Sequence, residues 1–168
     1  MNSIMKNYAF IDSQNLNLGV QELGWKIDYK KFNTYLCEKY NVEKAYMFIG
    51  FVALNQSLYD KLQESGFIIR FKPTISDVDG KIKGNVDADI VLRAMIEWND
   101  YDKAIIVSND GDFYSLVEHL YANNKLEIVL STNRKFCSGL LTHSALEKIQ
   151  YVDDLREKIE YIKKKSTA

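Results

Sequence analysis

Short apolar runs alternate along this chain with stretches of helical spacing, and the first and fourth of those runs end in aspartates. The runs are residues 8–11 (YAFI), 44–51 (KAYMFIGF), 67–71 (FIIRF), 103–108 (KAIIVS) and 126–130 (LEIVL). Helical spacing follows in residues 28–40, 55–65, 86–99 and 113–121, and more weakly in 138–146. An extended stretch is expected over 148–152 and a last helix over 153–165, ending in three lysines. Residues 13–27 suggest no element, and 74–85 read as a polar loop with an Asp79-Gly80 turn. This alternation predicts an α/β fold, a three-layer sandwich around a mostly parallel sheet of about five strands. The first and fourth runs are almost wholly apolar, as expected of strands covered on both faces. Ligands of such sheets bind beyond the carboxyl ends of the strands, where the strand order reverses.

Three segments then place acids together. The first run leads into FIDSQNL, with Asp12 at its end. The fourth leads into Ser108-Asn109-Asp110-Gly111-Asp112-Phe113. Between them, KGNVDADIVLRAM opens a helix on which Asp87, Val91, Ala94 and Trp98 share one stripe. A carboxylate on a sheet-facing stripe is costly unless it is paired or binds a metal. Asp12 can equally be a helix cap, and N-D-G-D can equally be turn chemistry. Asp89 points away from Asp87 and can pair with Arg93 at i+4.

Grouped carboxylates repel, and a divalent cation relieves that repulsion. A hard oxygen set without a Cys/His pattern suits Mg²⁺ or Mn²⁺. His119 and His143 form no H-x-x-x-H pair, and no G-x-x-x-x-G-K-[ST] loop or serine triad context occurs. The expected metal set is Asp12, Asp87, Asp89, Asp110 and Asp112, with Asp12, Asp87, Asp110 and Asp112 catalytic. Lys83, beside the helix N-terminus, is expected to hold a substrate phosphate.

Length and composition fit this reading. At 168 residues, 46% hydrophobic and 27% charged, the chain is expected to form one domain over 1–168, with a core at about 8–155 and a basic tail. One proline and eight glycines leave little room for a disordered linker. No run is long enough for a membrane span, and Cys37 and Cys137 match no metal or redox spacing, so a cytoplasmic location is expected. A net charge of −1 means that any polyanion must be held by a local patch, such as Arg70, Lys72, Lys81, Arg134 and Lys135.

The three motifs in this order, FIDSQNL, KGNVDADIVLRAM and IIVSNDGDFYSLV, resemble the NYN-domain family, in particular its LabA-like branch, within the PIN-like nuclease superfamily. The resemblance covers residues 8–155, and S-N-D-G-D-F is its most specific piece. It implies a parallel sheet, acidic metal ligands and phosphodiester hydrolysis, usually of RNA, single-stranded or structured. It maps acids onto Asp12, Asp87, Asp110 and Asp112, and polar positions expected at the substrate onto Asn15 and Ser108, Asn15 either contacting the phosphate or fixing Asp12. One position departs: many relatives carry an acid where this chain has Arg93, so Asp89 stands in for it or the site holds one metal. A non-catalytic regulator that binds RNA or a protein, or a phosphohydrolase of small nucleotides, would use the same residues. A homodimer is compatible with all of these.

Overall fold

The computed structural model of the chain describes residues 4–76, 82–83 and 85–166. In chain order the elements are β1 (Asn7–Asp12), α1 (Ser13–Glu22), α2 (Tyr29–Tyr40), β2 (Val42–Gly50), α3 (Gln56–Glu64) and β3 (Ile68–Lys72). A short pair follows, β4 (Ile75–Ser76) and β5 (Ile82–Lys83), then α4 (Asp87–Ile96), β6 (Ala104–Val107) and α5 (Tyr114–Ala122). β7 (Leu126–Ser131), α6 (Gly139–Ala145), β8 (Ile149–Tyr151) and α7 (Arg156–Ile159) complete the chain.

Six strands form one parallel sheet in the order β3-β2-β1-β6-β7-β8. The chain winds outward from β1 to β3, crosses back to β6 beside β1, and winds outward again to β8. Strand order therefore reverses between β1 and β6, the two strands expected to share the acidic edge. Alternation along β1 feeds both faces of the sheet. Ala9 and Ile11 join a core with Leu16, Phe32, Leu36 and Met47. Tyr8 and Phe10 join a second core with Ile90, Ala94, Phe113 and Leu120. Helices α1, α2, α3 and α7 cover the first face, and α4, α5 and α6 the second, giving the three layers.

Four details differ from the sequence expectation. The sheet has six strands rather than five, because the extended 148–152 stretch pairs with β7 as β8. Residues 13–22, given no element, form α1, whose buried positions are Ser13, Leu16, Gly19 and Val20. That is helical spacing, but two of the four residues are small. The final helix stops early. A 3-10 turn over Val152–Leu155 leads into α7, and Glu160 then pairs with Ile27 as an antiparallel bridge. Val152, Leu155 and Ile159 are buried, whereas Tyr161 and Ile162 are exposed, so there is no further apolar turn to hold a longer helix against the core. Finally, the 74–85 loop contains the antiparallel pair β4/β5. Its Asp79-Gly80 turn lies outside the described residues. Among the described residues, no helix is long and apolar enough to cross a membrane.

Candidate functional site

Asp12 is the last residue of β1 and also the N-cap of α1. Its Oδ1 accepts the Asn15 N–H at 3.1 Å, and the residue is 7% exposed. Next to it, β6 runs into Ser108, whose buried hydroxyl oxygen accepts the Asp110 N–H at 3.1 Å. The Asp110 carboxylate in turn accepts the Asp112 N–H at 2.9 Å and caps the 3-10 turn Gly111–Phe113. A side chain at Gly111 would run into the Ser138 hydroxyl at the start of α6, so the turn needs glycine to sit there.

The third acid arrives on α4. Ile90 and Ala94 bury one face of this helix against the sheet, which sets Asp87 at its open end. The Asn85 side-chain oxygen accepts the Asp87 N–H at 2.8 Å, and the Lys72 ammonium donates to the Asn85 carbonyl. One carboxylate oxygen from each of Asp87, Asp110 and Asp112 lies within 4.8 Å of the others. Asp12, Asp87 and Asp110 line one cavity of about 300 Å³ with Asn15, Phe48 and Val86.

This crowding shows in the acidities. Burial pushes the Asp12 carboxyl up to about 6, and the charges of Asp87 and Asp110 add to it, against hydrogen bonds from the Asn15 and Gln14 backbone. Burial also raises Asp87, against a hydrogen bond from the Asn85 side chain, and the Asp110 and Asp112 carboxylates add to the rise while Lys72 opposes it. Such a cluster is short of positive charge. Its donors are all hard oxygens, so it fits a divalent cation of the Mg²⁺ or Mn²⁺ kind and does not fit a thiolate- or imidazole-seeking metal.

Not every expected residue joins this cluster. Asp89 faces the neighbouring groove and pairs with Lys72 at 3.3 Å, not with Arg93. Arg93 pairs with Glu97 at 3.8 Å instead. Asp89 takes a tertiary partner and Arg93 the carboxylate one turn further along α4, and the expected i,i+4 pair, worth only a few tenths of a kcal/mol on an exposed helix, does not form. Ser108 accepts the Asp110 N–H on its hydroxyl and is 1% exposed, which makes it a support for Asp110. Asn15 is similarly committed. Its Nδ2 donates to Asn109 Oδ1 at 2.7 Å, and its Oδ1 accepts the Asn109 N–H at 3.0 Å and the Thr132 hydroxyl at 2.8 Å. The side chain of Lys83, like Lys81, lies outside the described residues. The basic rim divides. Arg70 and Lys72 line the groove beside the acids, while Arg134 is held by Asp154 at 2.6 Å over the Tyr151 ring.

Sequence reasoning missed Thr132, Lys72 as a tether for α4, and the buried Glu97. Thr132 directly follows β7 on the acidic edge, so the strand-end rule that found Asp12 would have found it. Lys72 and Glu97 carry no comparable signal, because their roles depend on contacts across the sheet.

Comparison with known proteins agrees with this architecture. Residues 7–150 match the NYN domain family. Over 162 residues the chain is 26% identical to the "Low amplitude and bright protein LabA" of Synechococcus elongatus, covering 90% of this chain and 86% of that protein. A crystal structure of a protein of unknown function from Vibrio parahaemolyticus superposes with a TM-score of 0.81 at 25% identity, covering 96% of this chain and 99% of that one.

Proposed function

The chain belongs to the NYN domain family, generally nuclease-like and PIN-like in fold, and from that premise we propose that it hydrolyses phosphodiester bonds in RNA with the help of Mg²⁺ or Mn²⁺. The observation that supports this reading most is the carboxylate cluster at the β1/β6 switch point, where Asp87, Asp110 and Asp112 bring their oxygens within 4.8 Å of one another. These three residues, with Asp12 on the same cavity, would hold the cation. When bound, a divalent cation supplies charge neutralisation for the scissile phosphate and a more acidic attacking water.

The chain's own contribution is rigidity. Ser108 and the 3-10 turn fix the Asp110 and Asp112 backbones. Asn15 ties the β1 end to the β6 end through Asn109, so that Asp12 and Asp110 cannot drift apart. Asn85 and Lys72 fix the first turn of α4 and with it Asp87. A site held this way is preorganised, and misplacement of a ligand is costly in rate.

The test is a cleavage assay with Mn²⁺ or Mg²⁺ on single-stranded and structured RNA. The expected result is cleavage that EDTA abolishes and that Asp110→Asn lowers by about 100-fold or more. Cleavage surviving that substitution would move the active centre elsewhere. RNA binding without any cleavage would favour a non-catalytic member of the family, the reading to which Arg93 lends weight. It offers a cation where many relatives carry an acid, and it lies outside the cluster.

A further inference from the structure

We propose that the groove between β3 and α4 is a nucleotide subsite, taking the phosphate and base of an unpaired nucleotide that flanks the bond at the acidic centre. The proposal rests on the nuclease reading for the identity of the polymer. The groove has a volume of about 140 Å³ and adjoins the acidic cavity, with which it shares Phe48 and Val86. A strand laid across the acids in that direction enters it.

Three cations line the groove, and each is differently committed. Arg70 lies 5.3 Å over the Tyr46 ring and forms no ion pair among the described residues. Its planar set of donors is therefore open to an anion, and a phosphate matches that geometry. Lys72 is held by the Asn85 carbonyl and matched by Asp89, the latter at 3.3 Å with both heads substantially exposed, an exchangeable pair. Arg93 stands opposite Glu97 at 3.8 Å, beyond direct hydrogen-bond distance. Glu97 is itself buried. Its Oε1 accepts the Tyr46 hydroxyl at 2.7 Å, and its Oε2 has no hydrogen-bond partner. That buried charge anchors Arg93 at the groove wall without using up its donors.

The remaining wall is apolar and open. Phe71 is 45% exposed, Leu92 57% and Ile96 61%. Cations beside an exposed ring and aliphatic side chains match the two halves of a nucleotide, because a base stacks on an apolar face while its phosphate meets the guanidinium. Asp87 and Arg93 are six residues apart on one helix, about 9 Å along its axis, within the span of a dinucleotide. A groove of about 140 Å³ offers room for one unpaired unit, so a single strand is expected to bind in preference to a duplex.

The experiment is binding of a short, labelled, single-stranded oligoribonucleotide to the full chain in EDTA, followed by anisotropy over a range of salt. Without metal no cleavage intervenes, so binding is read separately from hydrolysis. Arg70→Gln is the main variant, since Arg70 is exposed and the fold does not depend on it. It should lower affinity by about tenfold and reduce the slope of log affinity against log salt by about 0.7, the value for one lost phosphate contact on a single strand. Arg93→Gln, checked for folding by its melt, should do the same, and a duplex of the same sequence should bind more weakly than the single strand. Binding by both arginine variants with unchanged affinity and slope overturns the subsite, even if the parent cuts RNA. So does a parent that binds duplex as well as single strand, or binds neither. A parent that binds and loses binding with Arg70→Gln, yet cuts nothing with Mn²⁺, upholds the subsite and removes the hydrolase reading.

Discussion

Asp12 is pulled two ways. As N-cap of α1 its ionised form is favoured by the Asn15 N–H, yet burial and two neighbouring carboxylates disfavour that form and hold its carboxyl up to about 6, against an ordinary value of 3.8. The folded protein therefore keeps a proton that the unfolded chain releases. Stability contributed by this group is present below the unfolded value and is lost as pH rises from about 4 to about 6. The loss amounts to about 3 kcal/mol at most. Asparagine caps a helix as well as aspartate does, so metal-free Asp12→Asn should escape the loss. Urea melts should show parent and variant alike near pH 4 and the variant more stable by about 1–3 kcal/mol at neutral pH. A variant less stable than the parent at neutral pH would show that the ionised carboxylate is a net support. Asp87→Asn tests the same crowding from the helix side. Without metal it should be no less stable than the parent, since it removes a charge that burial and the Asp110 and Asp112 carboxylates disfavour. With Mn²⁺ the parent should gain stability by mass action, and a tenfold loss of affinity would cut that gain by about 1.4 kcal/mol at saturating metal. An unchanged Mn²⁺ shift would reduce Asp87 to a structural first-turn residue.

Among elements, α1 shows how much of the site was legible and where legibility stopped. The runs that became β1 and β6, and α5 with Leu116, Val117 and Leu120 buried behind Phe113, follow from apolar periodicity, and the adjacency of β1 and β6 from the acids that end both strands. The meeting of Asp87, Asp110 and Asp112 was legible from their positions, because strand ends and a helix start on one sheet edge leave few other places for them. Helix α1 was hidden because half of its contact face is small residues, Ser13 and Gly19, and its sequence holds asparagine and glycine, poor helix formers. What holds it is proximity. A Cβ on Gly19 would lie 2.6 Å from the Thr132 hydroxyl oxygen and 2.9 Å from its carbonyl oxygen. Thr132 is also the residue that donates to Asn15. Gly19→Ala should therefore push α1 off the end of β7 and loosen the Asn15 clasp, at a cost of about 1–3 kcal/mol. Although Gly19 is remote from the three clustered acids, the substitution should also weaken the Mn²⁺ shift. A Gly19→Ala protein as stable as the parent would mean that Thr132 moves aside freely. Asp89 was misplaced for the opposite reason: its local partner at i+4 was visible in the sequence and its tertiary partner Lys72 was not.

At the scale of the whole molecule, the sheet is completed late in the chain. The first core contains β1, α1 and α2 residues, but also Val152, Leu155 and Ile159 from the last 3-10 turn and α7, all buried. Beyond them, Glu160 bridges to Ile27 and the Tyr161 N–H donates to the Lys26 carbonyl at 2.8 Å, which pins the segment ahead of α2. Residues 162–166 are exposed. Fully burying an aliphatic side chain is worth about 1.5–3 kcal/mol, so losing Val152, Leu155 and Ile159 removes about 5–9 kcal/mol. That rivals the entire stability of a typical domain, about 5–15 kcal/mol. A chain ending at Tyr151 should therefore fail to fold cooperatively. A chain ending at Tyr161 should melt within a few degrees of the parent and keep both its Mn²⁺ response and its RNA binding, because none of the lysines it lacks lines the acidic cavity or the β3/α4 groove. Circular dichroism melts of the two truncations, with and without Mn²⁺, decide the matter. If the shorter chain melts cooperatively, the core closes without α7 and the last segment is an accessory. If the longer one loses RNA binding, the terminal lysines, and not Arg70 and its neighbours, carry the strand.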